Sequence, residues 1–139
     1  MISVRRSLHI VPLVALTLIA TLVWANLNPA YAAPRWQGTP RITYDSPVTG
    51  QITTDVYEES WAFEGAAGDV VVIDMRATEG TTLDCYLTLL DPSGLTLMTD
   101  DDGGEGLDSR IGPLPLLEDG TYTILASNYT GIGSYTLEA

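Results

Sequence analysis

Alternation of apolar and polar residues, with a period of two, dominates the chain from Leu83 onward. Between Leu83 and Leu89, Leu83, Cys85, Leu87 and Leu89 fall on one side and the residues between them on the other, which is the pattern of a strand with one buried face. Glycine, proline and aspartate punctuate such stretches. The pattern predicts nine short strands, near residues 41–44, 50–53, 60–64, 70–76, 83–90, 95–99, 110–114, 121–127 and 134–138.

These strands predict the fold class. No segment has a helical period of useful length, and many short strands separated by regular turn signals are typical of an all-β protein. The sequence Asp91-Pro92-Ser93-Gly94 predicts a turn that joins two strands as a hairpin. We therefore expect an antiparallel β-sandwich of the jelly-roll type, with Cys85 inside it as a small buried hydrophobe.

The first residues predict export. Arg5 and Arg6 precede an apolar run from Ile10 to Ala25, and Ala30-Tyr31-Ala32 has the form of a cleavage site. We expect a signal peptide at 1–32, a flexible leader at 33–40 and one domain at 41–139. The product would be secreted, extracellular or part of the cell envelope. The apolar run is shorter than the roughly 20 residues that span a bilayer, so we expect membrane attachment only if this segment is retained.

Net charge and residue types argue against two classes of function, nucleic-acid binding and histidine-dependent catalysis. After residue 32 the chain has four arginines against eighteen acidic residues, a formal charge of −14, which repels nucleic acid and attracts cations or basic partners. The sole histidine, His9, lies in the predicted signal peptide and would be removed with it, and no lysine is present. Serine–histidine and cysteine–histidine catalysis therefore lack their base, and we expect no enzyme.

An acidic, glycine-rich segment interrupts the strands between residues 100 and 109. Closely spaced carboxylates repel one another unless they are solvated or share a cation, and oxygen ligands of this kind suit Ca²⁺. The spacing does not fit the helix-loop-helix calcium template, but ligands on a sandwich can come from separate loops. A solvated acidic turn is the alternative. The Asp108 carboxylate could instead accept backbone hydrogen bonds or pair with Arg110. The candidate calcium ligands are Asp100, Asp101, Asp102, Glu105 and Asp108.

Tyrosines supply a second candidate site. Tyr57, Tyr86 and Tyr129 lie in predicted loops or on the outward side of strands. Exposed tyrosines on a sheet face are what protein-binding or glycan-binding surfaces use. We therefore predict a binding face for an extracellular protein or polysaccharide.

Ordered motifs give the chain a family resemblance. In order along the chain, the motifs are Trp61-Ala62-Phe63, Ala67-Gly68-Asp69, Leu83-Asp84-Cys85-Tyr86, Asp91-Pro92-Ser93-Gly94, Asp101-Asp102-Gly103-Gly104, Leu107-Asp108-Ser109, Gly120-Thr121-Tyr122 and Gly133-Ser134-Tyr135. With them, the chain resembles the bacterial pre-peptidase C-terminal domain over nearly all of residues 33–139. Such domains accompany secreted enzymes, commonly peptidases, and the collagen-binding domains of clostridial collagenases look like distant relatives that bind calcium. The resemblance implies a jelly-roll sandwich and adds Asp55 and Glu58 as candidate metal ligands.

These observations predict a secreted, non-catalytic binding or accessory module that calcium stabilises and that works with an extracellular polymer or a peptidase. No catalytic domain precedes the module in this sequence, so we expect it to act as a stand-alone module. The alternative is a structural or assembly protein of the cell envelope, in which the sandwich packs by its edges.

Overall fold

The computed structural model of the chain describes residues 38–139. The predicted signal peptide at 1–32 and most of the predicted leader at 33–40 lie outside the described residues. Within 38–139 the chain forms eight strands and no helix, so this part contains no segment that could cross a membrane as a helix. The strands are β1 (Val48–Ile52), β2 (Glu58–Gly65), β3 (Val70–Ala77), β4 (Asp84–Leu90), β5 (Thr96–Asp100), β6 (Ser109–Pro115), β7 (Gly120–Thr130) and β8 (Gly133–Glu138).

Two antiparallel four-stranded sheets face each other, and the predicted fold class is confirmed. One sheet has the order β1-β8-β3-β6 and the other the order β2-β7-β4-β5. Consecutive strands mostly alternate between the sheets, as in a jelly roll built from two Greek keys. The β4–β5 pair is the predicted hairpin, closed at Asp91, whose carboxylate accepts hydrogen bonds from Ser93 N and Leu95 N at 2.8 Å each.

Eight of the nine predicted strands form. The ninth, at 41–44, was wrong, because this segment makes only isolated bridges. Asp45 has a positive φ of 58°, and Ser46 N donates to Thr43 O, so the chain turns before a ladder can extend. Ile42 nevertheless enters the core at 2% exposure.

The core consists of the inward side of each strand. In β4 the inward residues Cys85, Leu87 and Leu89 have no exposed surface, while Tyr86 and Thr88 on the other side are half-buried. Phe63 and Tyr122 stack with ring centroids 5.4 Å apart. The predicted alternation and the buried position of Cys85 are thus confirmed, and this packed core fixes where the outward residues lie.

Candidate functional site

The acidic segment that follows β5 folds back on the sheet and is held there by its own backbone. Asp100 Oδ2 accepts hydrogen bonds from Gly103 N at 2.8 Å and Arg110 N at 2.7 Å. A side chain at Gly103 would collide with the Asp100 carboxylate, so glycine permits the close approach. Asp100 thus shapes the loop rather than facing outward as a free ligand.

Ser109 fastens the same loop to the core. Its hydroxyl is buried and lies 2.7 Å from both Cys85 O and Asp101 O. A hydroxyl has one proton, so it can donate to only one of these carbonyls at a time. Cys85 N also donates to Leu107 O at 2.9 Å. These bonds bring the start of β4 beside the end of β5.

Three carboxylates meet at this junction, and we call Asp84, Asp101 and Asp102 the acidic cluster. One oxygen from each lies within 4.8 Å of the other two, and this is the one such group found within residues 38–139. Asp84 Oδ1 and Asp101 Oδ1 are shielded from solvent and have no hydrogen-bond partner among residues 38–139. Buried carboxylate oxygens without a donor are costly unless something positive binds them.

Electrostatics of the acidic cluster agree with this geometry. Loss of solvent raises the pKa of Asp101, and the neighbouring charges of Asp102, Asp84 and Asp100 raise it further. Desolvation and like charges both oppose ionisation of the Asp101 carboxyl. A divalent cation among these oxygens would favour the ionised form and so offset the rise in pKa.

The other predicted ligands lie elsewhere. Asp108 Oδ1 accepts a hydrogen bond from Ala77 N at 2.9 Å, which is the backbone role considered as its alternative. Glu105, Asp55 and Glu58 are exposed and are not part of the acidic cluster. Of the seven predicted ligands, the structure therefore brings together Asp101 and Asp102.

Asp84 is the cluster residue that sequence analysis missed. It begins β4, three residues before Leu87, which pairs with Asp100 of β5. Counting back along the hairpin from its turn at Asp91 would place Asp84 beside the residues that follow β5. The hairpin register was therefore the signal that could have found it.

The predicted tyrosines lie near the same end of one sheet. Tyr86 on β4 alternates with the buried Cys85 and Leu87 and therefore lies on the outer face, where it pairs with Ser127 of β7. Tyr129 follows on β7 at the bulge where the β4–β7 register shifts. Tyr57 directly precedes β2, whose first residue also pairs with Ser127. Tyr57 and Tyr129 are 73% and 66% exposed, and Tyr86 is half-buried. Because Asp84 pairs with Thr130, the acidic cluster is adjacent to this tyrosine face.

Cys85 does not offer a nucleophile. Burial above all, and then the charge of Asp108, raise the pKa of its thiol to about 12, although backbone hydrogen bonds at Ser109 and Ala77 oppose the rise. A thiol in this state stays protonated at neutral pH and is inert.

The comparisons with known proteins agree with the fold. A family model for the bacterial pre-peptidase C-terminal domain matches residues 57–128, more than half of the 139 residues. The crystal structure of the pre-peptidase C-terminal domain of a collagenase from Bacillus anthracis superposes with a TM-score of 0.59 at 17% identity, over 71% of this chain and 91% of that domain.

No curated protein shows significant sequence similarity to the chain. The collagenase domain is too distant to show more than a shared fold. The family match extends from Tyr57 to Asn128 and includes the whole acidic segment. The resemblance seen in the sequence motifs is confirmed, and the chain belongs to the bacterial pre-peptidase C-terminal domain family.

Proposed function

We propose that this chain is an exported, non-catalytic accessory module that binds one calcium ion at the acidic cluster and presents the tyrosine face to an extracellular protein or polysaccharide. The observation that carries the proposal is the pair of buried carboxylate oxygens, on Asp84 and Asp101, that lack any donor. Family membership supports the accessory role, since the similar Bacillus anthracis domain belongs to a collagenase.

The donor set fits calcium. Ca²⁺ prefers six to eight oxygen ligands and tolerates irregular geometry. Asp84 on β4 and Asp101 and Asp102 in the loop after β5 supply three carboxylates, and the exposed position of Asp102 leaves room for water. The ion would neutralise their mutual repulsion and join the start of β4 to the loop after β5. It would stabilise the fold rather than take part in a reaction.

Calcium binding is tested by thermal unfolding. The full chain, stripped with EDTA, is melted with calcium, with magnesium and with neither. We expect calcium to raise the melting temperature, since a ligand that binds only the folded state stabilises it. Magnesium should act more weakly, because it needs stricter octahedral geometry and loses its water reluctantly. An unchanged melting temperature at millimolar calcium would refute the metal site.

The tyrosine face is tested by pull-down against collagen, chitin, cellulose and peptidoglycan. We expect binding to one of these polymers, weakened by Tyr86→Ala and by Tyr129→Ala, because aromatic rings dominate such contacts. Val70→Thr is the matched control, since Val70 is 64% exposed but lies on the opposite sheet. Equal losses in all three variants would count against this face.

A further inference from the structure

Strand β5 is a free sheet edge with exposed apolar side chains on and beside it. It ends its sheet and, in the part of the chain that the structure describes, pairs only with β4. Leu95, just before the strand, is 67% exposed, and Leu97 and Met98 are 42% and 39% exposed. The pairing of β5 with β4 shifts register between Leu89 and Leu90, which leaves Leu97 as the extra, bulged residue of β5. The strand has no proline and no basic residue, which are two of the usual means of blocking an edge. It is therefore open to pairing with another strand.

The other three edges of the sandwich each carry a feature that obstructs strand pairing. β6 contains Pro113 and Pro115, which cannot donate to a ladder. At the edge of β2, Ala62 donates its N–H to Pro40 O and accepts from Ile42 N. Gln51 N of β1 donates to the Glu59 carboxylate at 2.9 Å. The contrast marks β5 as the edge that the sequence leaves available.

An apolar groove lies beside β5, between the two sheets. It has a volume of about 210 Å³, below the range of roughly 300–1,000 Å³ of small-molecule pockets. It would hold one or two apolar side chains. Leu117 on its rim is 86% exposed, and contiguous exposed apolar surface of this kind marks protein-binding sites. The groove is lined by Leu97, Leu114, Pro115, Leu117 and Tyr122, with Asp91 and Glu118 at its border.

The acidic residues around the groove favour a basic binding partner. Hydrogen bonds from the Ser93 hydroxyl and from Leu95 N lower the pKa of Asp91, so this carboxylate stays ionised beside the groove. Asp100 stands at the far end of β5. Residues 38–139 hold three arginines against eighteen acidic residues. A second copy would therefore bring carboxylates against carboxylates, which costs binding energy, whereas lysine or arginine would complement them.

We propose that the β5 edge and its groove bind an extended cationic segment of a partner protein by strand addition. The backbone of the segment pairs with β5, its apolar side chains enter the groove at Leu97 and Leu117, and its basic side chains meet Asp91 and Glu118. This inference rests on the proposed accessory role, which supplies a protein partner, and is independent of the calcium site.

The test measures binding of fluorescent peptides to the full chain by anisotropy. The probe is a short peptide in which lysine alternates with valine. One control replaces lysine with glutamate, and another is methylated on alternate backbone nitrogens, which removes ladder donors but keeps the side chains. We expect the lysine peptide to bind, more weakly at high salt, and both controls to bind at least about tenfold more weakly.

Variants place the binding site. Leu97→Thr and Leu117→Ser should each weaken binding of the lysine peptide about tenfold, as for truncation of a central apolar contact. Glu118→Gln should weaken it less and reduce its salt dependence. Leu107→Ser is the control, because Leu107 is 52% exposed but does not line the groove.

Three results would overturn the inference. They are no binding of the lysine peptide, equal binding of the methylated peptide, and self-association of the chain that Leu97→Thr abolishes, since the occupant would then be a second copy. If peptide binding fails while calcium still stabilises the chain and a polymer is still captured, the inference falls alone and the proposed function stands.

Discussion

Two acidic segments that look alike in sequence behave differently in the structure. The segment after β5 contributes Asp101 and Asp102 to the acidic cluster, whereas Asp55, between β1 and β2, and Glu58, the first residue of β2, stay exposed and apart. The first segment has a second strand beside it that supplies Asp84. Carboxylates therefore become a candidate metal site when tertiary structure brings a partner from elsewhere in the chain.

The acidic residue with a structural role in the second segment points inward. Glu59 accepts hydrogen bonds from the Tyr135 hydroxyl at 2.7 Å and from Gln51 N at 2.9 Å, and Trp61 Nε1 donates to the same hydroxyl at 2.9 Å. Burial raises the pKa of Tyr135 most, and the Glu59 hydrogen bond adds to the rise. The Glu59 carboxylate on β2 therefore joins the two sheets, since its hydrogen-bond donors lie on β8 and β1.

The largest expected difference between the two segments is in calcium stabilisation. At calcium one hundredfold above its Kd, the free energy of unfolding should rise by about 2.7 kcal/mol. Asp84→Asn should remove most of this gain, because a carboxylate ligand is lost, and Glu58→Gln should keep it. Urea denaturation with and without calcium measures both. The reverse ranking would move the site to the second segment.

Removal of the Tyr135 hydroxyl tests the inward role of the second segment. Tyr135→Phe should lower the free energy of unfolding by about 1–3 kcal/mol, because Glu59 loses a donor and the Trp61 N–H loses its acceptor. The loss should be the same with and without calcium. Tyr129→Phe, at an exposed position, is the control and should change stability by less than about 0.5 kcal/mol. A loss that calcium restores would contradict this assignment.

Substitution of Ser109 tests whether its buried hydroxyl anchors the first segment to β4. Ser109→Ala removes the buried donor between Cys85 O and Asp101 O, and it should cost about 1–2 kcal/mol of stability. It should also weaken calcium binding, because Asp101 is no longer fixed. Ser46→Ala, at an exposed position, serves as control in the same calcium titration. Unchanged calcium affinity would show that the cluster does not depend on this anchor.

The smallest expected effect is a pH dependence in the metal-free protein. Asp101 has a pKa raised above its ordinary 3.8, so between the two values the folded state binds more protons than the unfolded state. Stability from this group is therefore present at low pH and is lost as pH rises through the folded pKa.

Asp101→Asn removes this pH-dependent contribution. In EDTA near neutral pH, the variant should melt at a higher temperature than the parent, and in calcium at a lower one. Melting curves from about pH 4 to pH 7 measure both. A variant that melts lower in both conditions would indicate that Asp101 stabilises the fold without a metal.

Much of the fold could be predicted because it depends on local pattern. Alternation placed Cys85, Leu87 and Leu89 inside, and the Asp91 turn predicted the β4–β5 hairpin. The prediction at 41–44 was wrong because alternation does not reveal whether a segment finds a strand to pair with, and this one makes only isolated bridges before the turn at Asp45. Tyr86 could be assigned to an outer face from the same alternation, but the place of Tyr129 beside it depends on the β4–β7 pairing and its bulge.

The amino-acid sequence determined the double-layered fold and its acidic surface, because side-chain period and turn chemistry act over a few residues. Only the tertiary structure decided which carboxylates meet. Asp84 and Asp101 are far apart along the chain, and their approach depends on hairpin register and on the Ser109 anchor. It also decided that β5 is the open edge, since an edge is defined by the strands that do not pair with it.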